Sequence, residues 1–175
     1  PHADNVAASL LGGFIVITSI KPFKAISLSS PKDFKFLIVI PNVKFGRRKT
    51  ERARKVLPKY VSFQKLVKQS SSLAKLIIGF LKEDGEMVGE AMSSELIVES
   101  LREKAGLIPL YREVREVAFK NKALGVCVSG AGPSILILCK EYSKKLEDEL
   151  KKLYNEEKIE VEIKRAKVAP GAHII

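Results

Sequence analysis

Gly125-Val126-Cys127-Val128-Ser129-Gly130-Ala131-Gly132-Pro133-Ser134-Ile135-Leu136-Ile137-Leu138-Cys139 sets two short aliphatic runs on either side of a glycine-rich break. Runs of this length, rich in Val and Ile and bounded by Gly and Pro, predict two strands, over 123–128 and 134–139, joined by a tight connection. Downstream, the charged residues of 143–154 alternate with Leu and Tyr at helical spacing, and 159–164 predicts a closing strand. Upstream, the bounded apolar run Lys35-Phe36-Leu37-Ile38-Val39-Ile40 is of strand length. Helical patterns fill the interval, over 48–55, 62–81, 86–92, 94–103 and 109–120. The order strand, helix, strand, strand, helix, strand is that of a split βαβ, ferredoxin-like layer with extra helices, an α+β fold.

The first residues belong to something else. Segment 4–11 predicts a short buried helix, capped by Asp4 or Asn5 and stopped by Gly12-Gly13, followed by strands over 14–20 and 24–29. Pro1-His2-Ala3-Asp4-Asn5 feeds a polar cluster directly into that helix and reads as the middle of a longer protein. The expected division is therefore residues 1–31 as part of one domain and residues 32–175 as a second, carboxyl-terminal one.

Composition narrows the class. A chain of 175 residues with 46% hydrophobic content can bury a core, and no apolar run approaches the roughly 20 residues of a membrane helix. The start carries no basic, apolar secretory leader, so the expected setting is the cytoplasm, away from membranes. Cys127 and Cys139 lie inside apolar runs and read as small core residues, and His2 and His173 stand too far apart in sequence to suggest a metal cluster. The net charge of +11 raises nucleic-acid binding, but most lysines alternate with Glu on predicted helices and the aromatics are not interleaved with them, so no nucleic-acid partner is expected.

Three constellations can carry chemistry. His2, Asp4 and Asn5 stand at a helix start, where free N–H donors and a partial positive charge meet an acceptor and an amide; the same residues also suit plain capping. Ser129, Gly130, Ala131 and Gly132 let backbone approach a ligand closely and can form an anion-binding nest, or else an ordinary turn. Arg54, on a helix that opens near Thr50, and Arg102, at the end of another, present forks that match a carboxylate, although nothing local separates them from the other basic residues. No Walker loop, no Ser-His-Asp set and no paired acid and base is visible, so no general base is assigned and no metal ligands are placed on this chain.

Taken together, these segments resemble homoserine kinases, within the galactokinase, homoserine kinase, mevalonate kinase and phosphomevalonate kinase superfamily. His2-Ala3-Asp4-Asn5-Val6-Ala7 leading to Gly12-Gly13 is similar to one homoserine kinase segment, and Gly125 to Ser134 looks like the third superfamily signature. Thr50-Glu51-Arg52-Ala53-Arg54 with Leu57-Pro58, and Arg102 with Leu107-Ile108-Pro109, are similar to two more.

The resemblance implies phosphoryl transfer from ATP, with Mg2+, to the side-chain hydroxyl of L-homoserine, a step toward threonine. It implies that His2, Asp4 and Asn5 contact the polar head and hydroxyl of the substrate, with Asn5 the candidate for orienting the hydroxyl. Thr50 would border the site, Arg54 and Arg102 would hold the carboxylate, and Ser129, Gly130, Ala131 and Gly132 would shape the floor beside substrate and phosphates. The ATP-phosphate loop and the acidic residue that helps hold magnesium are expected in an amino-terminal half outside this chain, which by itself should not catalyse. A homodimer is the expected complete form. The competing expectations are another kinase of the superfamily, of mevalonate type, and a non-catalytic ferredoxin-like binding module; the strand runs, aliphatic with one Phe, weigh against the latter as an RNA binder.

Overall fold

A computed structural model describes residues 3–28, 31, 33–46, 49–95 and 97–173, with 49 and 50 described by backbone alone. Strands β3 (Lys35–Pro41), β4 (Gly125–Val128), β5 (Ile135–Cys139) and β6 (Val161–Ala166) form an antiparallel sheet in the order β4-β5-β3-β6. The central strand β3 is the apolar run that the sequence marks, and its alternation divides the core. Leu37 and Val39 point to one face, where they meet Ile135, Ile137, α6 (Tyr111–Lys120) and α7 (Lys144–Glu156). Phe36 points to the other, where Phe34, Leu138, α3 (Phe63–Leu81) and α4 (Gly85–Met92) pack. Both faces of the sheet are covered, which explains why β3 and β5 are nearly continuous in hydrophobicity rather than alternating.

Cap chemistry sets several helix starts. The side chains of Ser62, Asp84 and Ser143 each accept a backbone N–H from the first turn of α3, α4 and α7. At the end of α1 (Ala3–Leu11), Gly12 takes a positive φ of 62° and its N–H returns to the Ala8 carbonyl, 3.0 Å away. The expected capping by Asp4 or Asn5 is corrected, because α1 already begins at Ala3. Asp4 instead lies within the first turn, where its charge is favourable against the helix dipole.

The helix expected over 94–103 is also shortened to α5 (Glu99–Lys104). The Glu95 carboxylate accepts the N–H groups of Ile97, Val98 and Glu99, each at 2.8 Å, and so supplies from a side chain the acceptor that a preceding helical turn would have provided. Short α2 (Lys49–Lys55) follows β3.

The amino-terminal piece, α1 with the two-stranded sheet of β1 (Phe14–Ile20) and β2 (Phe23–Leu28), meets the rest of the chain through Phe14 and through the tail after β6. Phe14 stacks on Phe80 with ring centroids 3.9 Å apart and planes 5° from parallel. The tail after β6 runs back along it, with Gly13 N–H donating to the Ala169 carbonyl at 3.0 Å and Ala172 N–H to the Leu10 carbonyl at 3.1 Å. Ile20, Phe23 and Ile26 remain exposed on this small sheet.

Candidate functional site

The site is built at the open edge of the four-stranded sheet. Strand β4 has β5 on one side only, so its other edge carries backbone groups that need partners. Side chains from three helical segments supply them. Ser93 Oγ accepts the Val126 N–H at 2.9 Å, Arg115 Nη1 donates to the Val126 carbonyl at 3.1 Å, and Glu99 Oε1 accepts the Val128 N–H at 2.7 Å.

Glu99 is the buried charged side chain among the described residues, 6% exposed. Its second oxygen accepts the Tyr111 hydroxyl, and Arg115 lies beside the same tyrosine, its guanidinium 5.7 Å from the ring centre. Burial pushes the Glu99 carboxyl above the usual carboxylate range, against the opposing pull of the Tyr111 and Val128 hydrogen bonds. Burial, reinforced by the neighbouring Glu99, raises the Tyr111 hydroxyl as well. The raised tyrosine therefore stays a donor, and the two Glu99 oxygens accept, one from the Tyr111 hydroxyl and one from the Val128 N–H.

Beyond Val128 the chain makes its glycine-rich turn. Ser129 N–H donates to the Ser134 carbonyl at 2.8 Å, and Gly132 N–H to the Ser129 carbonyl at 3.1 Å. Gly130 and Gly132 take φ of 60° and 74°, values that side chains other than glycine rarely adopt. A Cβ on Gly132 would also lie 3.0 Å from Ile108, so this turn is pressed against the segment that follows α5.

Arg102, one helical turn after Glu99, reaches the same turn. Its Nη1 donates to the Gly130 carbonyl at 2.9 Å, while its Nε is buried and lacks a hydrogen-bond partner among the described residues. A cleft of about 600 Å³ opens beside the turn, lined by Ile40, Asn42, Phe45, Pro133, Ser134 and Glu160. Two predicted site segments, the α5 arginine and the glycine turn, are thus one unit.

The other predicted residues are more dispersed. Asp4 and Asn5 are exposed on the first turn of α1, Arg54 is exposed on α2, and Thr50 is the second residue of α2. His2 lies outside the described residues. Ser129 and Gly130 are exposed, and Ala131 and Gly132 half-buried. Among the described residues no group of three or more His, Cys, Asp or Glu side chains could hold a metal ion, and no helix is long and apolar enough to cross a membrane.

Sequence reading missed Glu99, Tyr111 and Arg115. The available signal was a carboxylate inside the apolar run Leu96-Ile97-Val98-Glu99-Ser100-Leu101, an unusual place for one unless it is hydrogen-bonded.

Residues 76–156, from the end of α3 through α7, match the family model described as GHMP kinases C terminal. The chain is 34% identical over 176 residues to a homoserine kinase of Saccharolobus islandicus (strain L.S.2.15 / Lassen #1), an alignment covering 99% of this chain and 56% of that protein. It is 39% identical over 173 residues to a homoserine kinase of Pyrobaculum aerophilum, covering 98% of this chain and 57% of the relative. The crystal structure of homoserine kinase from Cytophaga hutchinsonii superposes with a TM-score of 0.88 at 32% identity, covering 97% of this chain and 53% of that one. The chain thus spans a little over half the length of the relatives it matches.

Proposed function

We propose, from the match of residues 76–156 to the GHMP kinases C terminal model, that this chain is the substrate-binding half of an ATP-dependent kinase that phosphorylates the side-chain hydroxyl of L-homoserine. The observation that carries the reading is the 34–39% identity to homoserine kinases along nearly the whole chain. It is supported by the joining of Arg102 to the glycine turn, which sets a carboxylate-matching cation against a backbone floor.

In this reading the γ-phosphorus forms a bond to the homoserine side-chain oxygen as its bond to the β,γ-bridging oxygen of ATP breaks, releasing ADP and the hydroxyl proton. Such transfers depend on alignment and charge stabilisation more than on covalent help from protein groups. Arg102, with Arg54, holds the amino-acid carboxylate. Asp4 and Asn5, with His2, take the polar head, Asn5 orienting the hydroxyl, and Thr50 borders the pocket. Ser129 to Gly132 form the floor beside the transferred group. ATP is held chiefly by the remainder of the protein. Mg2+ is assigned to that remainder as well. The complete enzyme is a homodimer of the cytoplasm that contributes to threonine biosynthesis.

The test is ADP release by the full-length protein with L-homoserine, L-serine and mevalonate offered separately. Selective turnover of L-homoserine is expected. Preference for mevalonate would replace the substrate assignment, and absence of turnover with all three would remove the kinase reading.

A further inference from the structure

From the contacts of α5 we infer that Glu99 is a positioning residue for the substrate floor, acting with Arg102 to set the backbone of the Ser129–Gly132 turn from one helix. The two side chains lie three residues apart on α5, on one face of the helix, and straddle Ser129. Glu99 accepts the N–H of the residue before it, Val128, and Arg102 donates to the carbonyl of the residue after it, Gly130. An acceptor and a donor on successive turns of one helix thus read opposite backbone polarities on the two sides of Ser129. Ser129 itself is already committed, its N–H to Ser134 and its carbonyl to Gly132. The Val128 N–H, both backbone groups of Ser129, the Gly130 carbonyl and the Gly132 N–H therefore have their directions specified, and α5 is the outside reference.

The anchoring of α5 is equally explicit. Glu95 accepts three N–H groups at its start, Tyr111 of α6 donates to Glu99, and Arg115 ties Tyr111 to the carbonyls of Val126 and Ser93. A buried carboxylate that served only to cover a strand edge would need neither a neighbouring arginine on the turn nor a turn held in two left-handed glycine conformations. Loss of Glu99 leaves the part-buried Val128 N–H without this acceptor and removes one of the two ties from α5 to the turn.

The kinetic consequence rests on the functional reading above, whereas the structural consequence does not. In the full-length protein, Glu99→Ala should raise KM for L-homoserine about tenfold or more and leave KM for ATP within about twofold. Glu99→Gln, whose carbonyl can still accept from Val128 and whose amide can donate to the Tyr111 oxygen, should recover most of the loss.

Hydrogen–deuterium exchange on the same proteins needs no substrate. Exchange in E99A should quicken over 128–134 while β3 and α7 keep their protection. A folded E99A with unchanged homoserine KM, or with exchange raised uniformly rather than at the turn, overturns the inference. Should E99A fail to fold, Tyr111→Phe, which releases one Glu99 oxygen, takes its place: faster exchange at 128–134 supports the assignment and unchanged exchange there overturns it. If the parent protein itself ignores L-homoserine, the functional reading fails and the exchange result alone decides the role of Glu99.

Discussion

Gly89 of α4 and Gly125 of β4 meet backbone to backbone: a Cβ built on Gly125 would lie 2.5 Å from the Gly89 Cα. No side chain separates helix from strand at this point, and this close approach brings Ser93, the residue that caps the end of α4, to the Val126 N–H. Gly89→Ala should therefore destabilise the fold by about 1–3 kcal/mol, since the added methyl drives into the Leu124 backbone rather than into a yielding side chain. Denaturant unfolding of the two proteins measures the difference, and an unchanged midpoint would show that α4 moves away without loss.

Arg102 has a conservative variant that separates charge from shape. Lysine keeps the positive charge and can still reach one carbonyl, but it lacks the planar fork. Arg102→Lys is expected to raise KM for L-homoserine about tenfold in the full-length protein and Arg102→Ala more, with KM for ATP nearly constant in both. Equal rises in the two KM values would place Arg102 in general folding rather than at the amino-acid end.

The thiols give a test of burial that needs no activity. Burial pushes Cys127 up to about 12 and Cys139 up to about 11, so at pH 8 both remain thiols rather than the reactive thiolates. A disulfide-exchange reagent should leave the native protein untouched and titrate both cysteines after denaturation. Rapid native labelling of Cys127 would mean that the sheet face on which it stands opens readily.

Glu99 predicts an inverted pH dependence. Its folded carboxyl is raised above the value of 4.5 for a free side chain, so the folded state binds its proton more tightly than the unfolded state does. The associated stability is fully present below about 4.5 and declines as pH rises through the raised value. Glu99→Gln carries no such titration, and the stability of the parent relative to E99Q should fall over that window. A parent that gains on E99Q with rising pH would mean that the Val128 and Tyr111 hydrogen bonds outweigh burial.

Much of the layer was legible because local pattern and tertiary need agree. The apolar run at β3, the two runs around the glycine turn and the periodicity of α7 each specify an element unaided, and their order gives the split βαβ arrangement. Fold legibility failed where a side chain competes with the backbone, as at Glu95, whose carboxylate takes over acceptor duty and leaves only 99–104 helical. Site legibility failed for a different reason. Arg115 lies among charges that resemble solvent-facing ones, Glu99 is marked only by its apolar neighbours, and only the packing of α5 and α6 against the edge of β4 brings them, with Tyr111, to Val126 and Val128. Arg102 was singled out by resemblance, and its bond to Gly130 is a property of the fold that no local spacing encodes.

The bridge between Gly12 and Pro170 has a consequence in time. It joins residues that lie far apart along the chain, so this tie between the end of α1 and the tail after β6 cannot form until almost all of the intervening chain has been synthesised. Contacts so distant along the chain form late and slowly, because the loop between them must close first. The layer itself, whose β4–β5 hairpin and α6–α7 contacts are far more local, can condense beforehand. Among the described elements, the carboxyl-terminal layer should then condense before the tail after β6 closes on the end of α1.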